Sequence, residues 1–318
     1  MKFDIYKTKY DNFISSKKLV KSLKDTLGHF PTFGDHLIAE SKIASILQDS
    51  IAMNCLSEEF YFERTGRNLV FVNNSIVDML NRAKFTATKQ ASIIVPKGFE
   101  TFALCFEKNA CIDVEGHKVK LYPCLITVLS KEEHNELVKE PFSKATGQYF
   151  YDNSRIRTSI ALNYKVGDVN YRTCIDLSEV VESLENGVRD TDTESPFFNQ
   201  HLNPDEQRTS NLLLKMAVKM LIFNASTDNE YLVSGFPKQC NFKLPDNRIR
   251  THWNASHVNY APSFKVGAHI RSAHFRNLQA DRYYKNEYEN LPKGSRWIMI
   301  QESFIGKSKN FTQKSKND

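Results

Sequence analysis

Between residues 91 and 129 the chain breaks into four short apolar runs: Ala91-Ser-Ile-Ile-Val95, Thr101-Phe-Ala-Leu-Cys-Phe106, Cys111-Ile-Asp-Val114 and Leu121-Tyr-Pro-Cys-Leu-Ile-Thr-Val-Leu129. They are rich in β-branched and aromatic residues, and Pro96-Lys-Gly98, Lys108-Asn109 and Glu115-Gly116 separate them. Runs this short between turn formers are strands, not helices. They predict one antiparallel sheet, with residues 148–151 and 156–164 added as a hairpin.

Helical spacing surrounds that block. Leu37, Ile38, Ile43, Ile46, Leu47, Ile51 and Met53 predict a helix over 36–56, and Leu69, Val72, Ile76 and Leu80 another over 68–83. After the sheet, Asp176-Leu-Ser-Glu leads a helical stripe stopped at Gly187. Asn203-Pro204-Asp205-Glu206 supplies a cap, a first-turn proline and early acids, opening the longest helix, to about Asn224. Leu212, Leu213, Met216, Met220 and Phe223 are its expected buried stripe. The fold class is therefore α+β: N-terminal helices, a central antiparallel sheet with packed helices, and a C-terminal strand pair. That pair is expected between His269–Arg276 and the apolar run that follows Gly294, with 277–294 as a loop. The expected division is a basic N-terminal arm (1–28), a mixed α/β body (29–230), a basic C-terminal segment (231–306) and a disordered tail (307–318).

No apolar stretch approaches the roughly 18 to 20 residues that span a bilayer, and the N-terminus lacks the apolar core of a secretory signal. No membrane partner and a cytoplasmic location are expected. The six cysteines form no Cys-x-x-Cys pair, as suits reduced, buried thiols, and no metal site or other cofactor is expected. Nucleotide-binding glycine loops, His-Glu-x-x-His and a nucleophile elbow are all missing. Glu58-Glu59 and Glu132-Glu133 stand in polar surroundings, where a solvated surface is the expectation.

The chemistry concentrates in Lys265-Val-Gly-Ala-His269-Ile-Arg271-Ser-Ala-His274-Phe-Arg276, which repeats His-apolar-Arg at a five-residue interval. In an extended chain His269 and Arg271 share one face, and so do His274 and Arg276. The pairs have opposite parity, so a bend or bulge near Ser272 and Ala273 is needed to aim all four at one anion. Lys265, Arg282 and Arg296 add cations for phosphate, and Phe275, Tyr283, Tyr284 and Trp297 add flat rings for unstacked bases. Each histidine can equally be a structural group satisfied by a neighbour.

The order His269-Ile-Arg271, two residues, His274-aromatic, a loop, a basic residue and then Trp297-Ile298 in a closing strand resembles the C-terminal signature of a phage and mobile-element family. Its best-known member is the large type V-A anti-CRISPR protein. The specific likeness covers about residues 265–306. This chain has Ser272-Ala273 and Phe275 where the family commonly has Arg-Gly and Trp. The resemblance implies a counter-defence protein in the host cytoplasm that suppresses production of a defence nuclease. The expected partners are a host defence protein or its nascent chain or mRNA, with RNA compatible with the basic, aromatic chemistry of this segment; self-association stays open. Two alternatives stand beside it. His269 and His274 could serve as general base and acid of a metal-independent ribonuclease, with Arg271 and Arg276 on the phosphate. A protein-binding inhibitor could anchor through the aromatic loop 283–288.

Overall fold

The computed structural model describes residues 3–87, 90–114, 116–130, 132–133, 136, 158–186, 202–227, 232–237, 251–254, 269–301 and 303–305, with backbone alone for 185–186, 252–254, 269–271 and 303–305. Its centre is an eight-stranded sheet. The strands are β1 (Phe3–Asp4), β2 (Leu69–Val72), β4 (Thr101–Glu107), β7 (Cys124–Leu129), β8 (Ser159–Val166), β9 (Val169–Asp176), β10 (Leu232–Ser234) and β11 (Thr251–Asn254). They run in the order β10-β11-β2-β4-β7-β8-β9, with β1 paired to the far end of β4. The sheet is mixed: β2 lies parallel to both β4 and β11, and the other neighbours are antiparallel.

Alternation along the strands divides the core into two faces. Val70, Val72, Phe102, Leu104, Phe106, Ile126, Ile160 and Leu162 belong to the larger cluster. Against it pack helices α5 (Asn74–Arg82), α6 (Leu177–Asn186) and α7 (Pro204–Ser226). Leu69, Phe71, Ala103, Cys105 and Leu125 point the other way and meet Phe3, Tyr6 and Phe62. Phe62 comes from α4 (Ser50–Arg64), which pairs with α3 (Phe33–Ile46).

Helix α7 forms as its sequence dictates. Asn203 accepts from Asp205 N and Glu206 N, and Glu206 returns a bond to the Asn203 amide, closing a capping box. Its buried residues are not confined to one stripe. Leu213, Leu214, Ala217, Val218, Leu221 and Ile222 are all under 3 % exposed, because α7 touches β8 and β9 on one side and a second sheet on the other. That second sheet is three-stranded: β3 (Lys84–Thr86), β13 (His274–Leu278) and β14 (Arg296–Ile300), in the order β14-β13-β3. The expected C-terminal pairing is thus present.

Several boundaries differ from expectation. Residues 36–56 are two helices, because Gln48 takes a left-handed φ of 54° and Asp49 caps α4 by accepting from Ala52 N. Residues 68–83 are strand β2 followed by α5; Leu69-Val-Phe-Val72 is buried on both faces, and Asn73 caps the helix. Of the four short runs, 91–95 is not a strand. Cys111–Val114 (β5) leaves the main sheet to pair with His117–Lys120 (β6). Ser159–Val166 takes Val169–Asp176 as its hairpin partner; residues 148–157 lie outside the described ones. The basic N-terminal stretch begins with β1, continues through α1 (Lys9–Ser15) and ends in α2 (Lys17–Leu27), which has no buried residue. The expected tail also lies outside the described residues.

Candidate functional site

Strand β13 sorts the C-terminal signature by parity. Phe275 and Asn277 point inward, at 0 % and 5 % exposure; His274 is half-buried and Arg276 exposed on the outer face. Register completes that face. Lys84, His274 and Ile300 form one cross-strand row, and Thr86, Arg276 and Ile298 form the next. Lys84, Arg276, Ile298 and Ile300 are exposed, so the face is open and combines cations with apolar carbons. The Nε2 atom of His274 is 2.6 Å from Thr86 Oγ1.

The other pair sits on β12 (His269–Arg271), which joins β15 (Ser303–Ile305). Arg271 opposes Ser303 and His274 opposes Ile300, three residues on along one strand and three back along the other. The two ladders keep one register on either side of Ser272–Ala273, with equal numbers of residues between the two pairs, and belong to separate sheets. The side chains of His269 and Arg271, and all of Lys265, lie outside the described residues.

Two rings named as base contacts are core residues instead. Phe275 stacks on Phe85 at 4.8 Å and meets the edge of Phe223 at 6.2 Å. Trp297 is 4 % exposed and donates its indole N–H to Ser92 O at 2.9 Å. Parity is the reason: both occupy inward positions facing α7, where no base can reach them.

The loop from 279 to 295 is internally braced. The Tyr284 hydroxyl donates to Leu278 O at 2.7 Å and accepts from Gly294 N at 2.6 Å and Arg296 N at 3.3 Å. Arg296 lies 3.4 Å over the Tyr288 ring and donates to Tyr283 O. Arg282 is exposed, stacked 4.9 Å over Tyr283 with a bond to its hydroxyl. Tyr284 and Arg296 therefore serve the loop, while Arg282 and Tyr283 form a stacked pair on the same loop.

A second polar constellation overturns the expectation of solvated carboxylates. Glu58 and Glu59 on α4 are 0 % and 1 % exposed, whereas Glu132 and Glu133 are on the surface. Glu58 accepts from Arg172 Nη2 at 2.8 Å, from Arg172 Nε at 3.3 Å and from Asn163 Nδ2. Glu59 accepts from the Tyr6 hydroxyl at 2.8 Å, from Lys9 N at 2.7 Å and from Lys165 Nζ at 3.2 Å. Burial is tolerated because each carboxylate has a cation and further donors. Burial opposes the charge of Arg172, but the Glu58 carboxylate outweighs it and holds the pKa above its ordinary value. Burial and then Glu59 raise the Tyr6 phenol, and burial followed by Glu58 pushes the Cys55 thiol up to about 12. Cys55 instead donates to Asn163 Oδ1 at 3.1 Å. With both Glu58 oxygens engaged and the thiol held protonated, the cluster fastens α4 and the N-terminal segment to the sheet. The available signal was Asn163 at an inward position of the apolar run Ile160-Ala-Leu-Asn-Tyr164.

Among the described residues no three side chains could share a metal ion, and no helix is long and apolar enough to cross a membrane. Against this geometry, no protein-family model and no curated protein matches the chain.

Proposed function

We propose that this is a binding and regulatory protein of the mobile-element counter-defence type, and that the open face of β3, β13 and β14 engages RNA of a host defence system, free or within a translation complex. The observation that carries the reading is the row structure of that face: Lys84 and Arg276 exposed, His274 between them, and Ile298 and Ile300 alongside. Cations neutralise phosphates, and an apolar strand gives unstacked bases a surface to leave water. The Arg282–Tyr283 stack, on the loop that joins β13 to β14, offers the same chemistry. The likeness of residues 265–306 to the anti-CRISPR family supports the biological setting, and host cytoplasm is part of the same proposal.

The test is salt-dependent binding of single-stranded RNA by the full chain. Lys84→Ala and Arg276→Ala are each expected to lower the salt slope by about 0.7. Unchanged slopes in both variants would remove this face from RNA recognition. Cleavage of the RNA in chelator across pH 5 to 8, lost in His274→Ala, would replace the binding reading with hydrolysis.

A further inference from the structure

Helix α7 carries Arg208, Leu212, Lys215 and Lys219 at i, i+4, i+7 and i+11, on one side of the helix. With Met216, Asn81 from α5 and Val114 from β5 they line an open cavity of about 160 Å³. Three of its seven lining residues are cations, and among the described residues no carboxylate lines it. A shallow cavity beside an ordinary helix is common. A cavity into which one helix sends three cations is not explained by packing.

Lys219 shows the discomfort of that arrangement. Its half-buried ammonium donates to Leu80 O at 3.1 Å and lies 5.4 Å over the Phe85 ring. An ammonium has three N–H donors. Leu80 takes one, and no other acceptor for Lys219 occurs among the described residues. Burial, and then repulsion from Lys215 one turn earlier, lowers its pKa to about 8. Arg208 bonds the exposed Asp205 at 2.8 Å, which leaves other donors of its guanidinium fork unspent on that pair.

We propose that this cavity is an anion site for a phosphate or diphosphate group, held by Lys219, Lys215 and Arg208 with Asn81 as a neutral donor. Size sets the ligand class. About 160 Å³ falls below the roughly 300–1,000 Å³ that encloses a whole organic ligand, so the cavity takes the charged group and leaves any organic remainder outside. Lys215 and Lys219 stand about 6 Å apart along the helix axis, and Arg208 about 10 Å before Lys215. One phosphate bridges the lysines, and a second reaches towards the arginine. Leu212, Met216 and Val114 supply apolar walls beside the pair, which lower the local dielectric and strengthen it.

Calorimetric titration of the full chain with pyrophosphate, and separately with ADP, at ionic strength matched by sodium chloride, tests the site. Binding of either probe is expected, weakened about tenfold or more in Lys219→Met and in Lys215→Gln. Pyrophosphate alone binding identifies a free oligophosphate ligand; both binding identifies a phosphate carried on an organic body; either outcome supports the site. No heat with either probe at millimolar concentration, or equal affinity in wild type and both variants, overturns it. Thermal unfolding with pyrophosphate guards against a folding artefact: the probe should raise the midpoint of the wild type and not that of Lys219→Met.

Discussion

Asn163 and Arg172 stand directly opposite each other on β8 and β9, and both close on one buried carboxylate, that of Glu58. The same register row continues through Leu125, Ala103 and Leu69, so an apolar stripe across the sheet ends in a charged clasp. Helix α4 is therefore located twice. Phe62 packs on the apolar part of the sheet face, and Glu58 is fixed at its far edge.

Removing both partners of this clasp should cost less than the two single losses added together. Arg172→Ala leaves Glu58 buried without a cation, and such a loss is worth about 3–5 kcal/mol. Glu58→Gln should cost a similar amount. The double variant should be less destabilised than the sum, with a coupling of about 1–3 kcal/mol, read from urea midpoints in a double-mutant cycle. Additive losses would show that the pair contributes through packing alone.

How far the chain was legible follows from the range of each interaction. α7 was readable because Asn203, Pro204 and Glu206 act within one turn of one another. The β13–β14 pair was readable because His-Phe-Arg and Trp-Ile-Met alternate faces. Glu58 was not readable, because its cation lies 114 residues away and nothing in Ser57-Glu-Glu-Phe60 signals it. The break between α3 and α4 was hidden because Ile46, Leu47 and Ile51 continue an apolar pattern across it; all three are more than half exposed. β2 was hidden because Leu69 and Val72 match the helical spacing of Ile76 and Leu80. In the candidate site, alternation put His274 and Arg276 on one face, but the inward destination of Phe275 and Trp297 depends on α7 lying behind the sheet.

Gly294 should be intolerant of any side chain. Its φ is 88°, and a Cβ there would sit 2.2 Å from the backbone oxygen of Gln90. Its own carbonyl accepts from Ser92 N at 3.1 Å and Asn277 Nδ2 at 2.6 Å, so the chain cannot withdraw without losing both. Gly294→Ala is expected to destabilise by about 1–3 kcal/mol. The check is the denaturant midpoint; a change within about 0.5 kcal/mol would mean the loop yields freely.

Lys219 predicts a pH dependence with a definite sign. Its folded pKa of about 8 lies below the ordinary 10.5, so between those values the unfolded chain holds the proton that the folded chain has released. Stability contributed at this position therefore rises as pH climbs from about 8 to 10.5, and the penalty is fully present below 8. Replacing the lysine with methionine abolishes the titration. Urea midpoints at pH 7 and pH 9.5 should show Lys219→Met losing ground to wild type at the higher pH, and parallel behaviour of the two proteins would contradict the assignment.

The two faces of β13 should separate stability from binding in adjacent residues. Phe275 lies against Phe85 and Phe223 with no exposure, so Phe275→Ala should cost about 3–5 kcal/mol through lost burial and the cavity left behind. Arg276, one residue on, is exposed and forms no part of the core. Arg276→Ala should alter stability by no more than about 0.5 kcal/mol while weakening RNA association at low salt. Urea midpoints and RNA titrations on the same two variants read both effects. If Arg276→Ala unfolds the protein as readily as Phe275→Ala, the outer face is a structural surface and the binding role assigned to it falls.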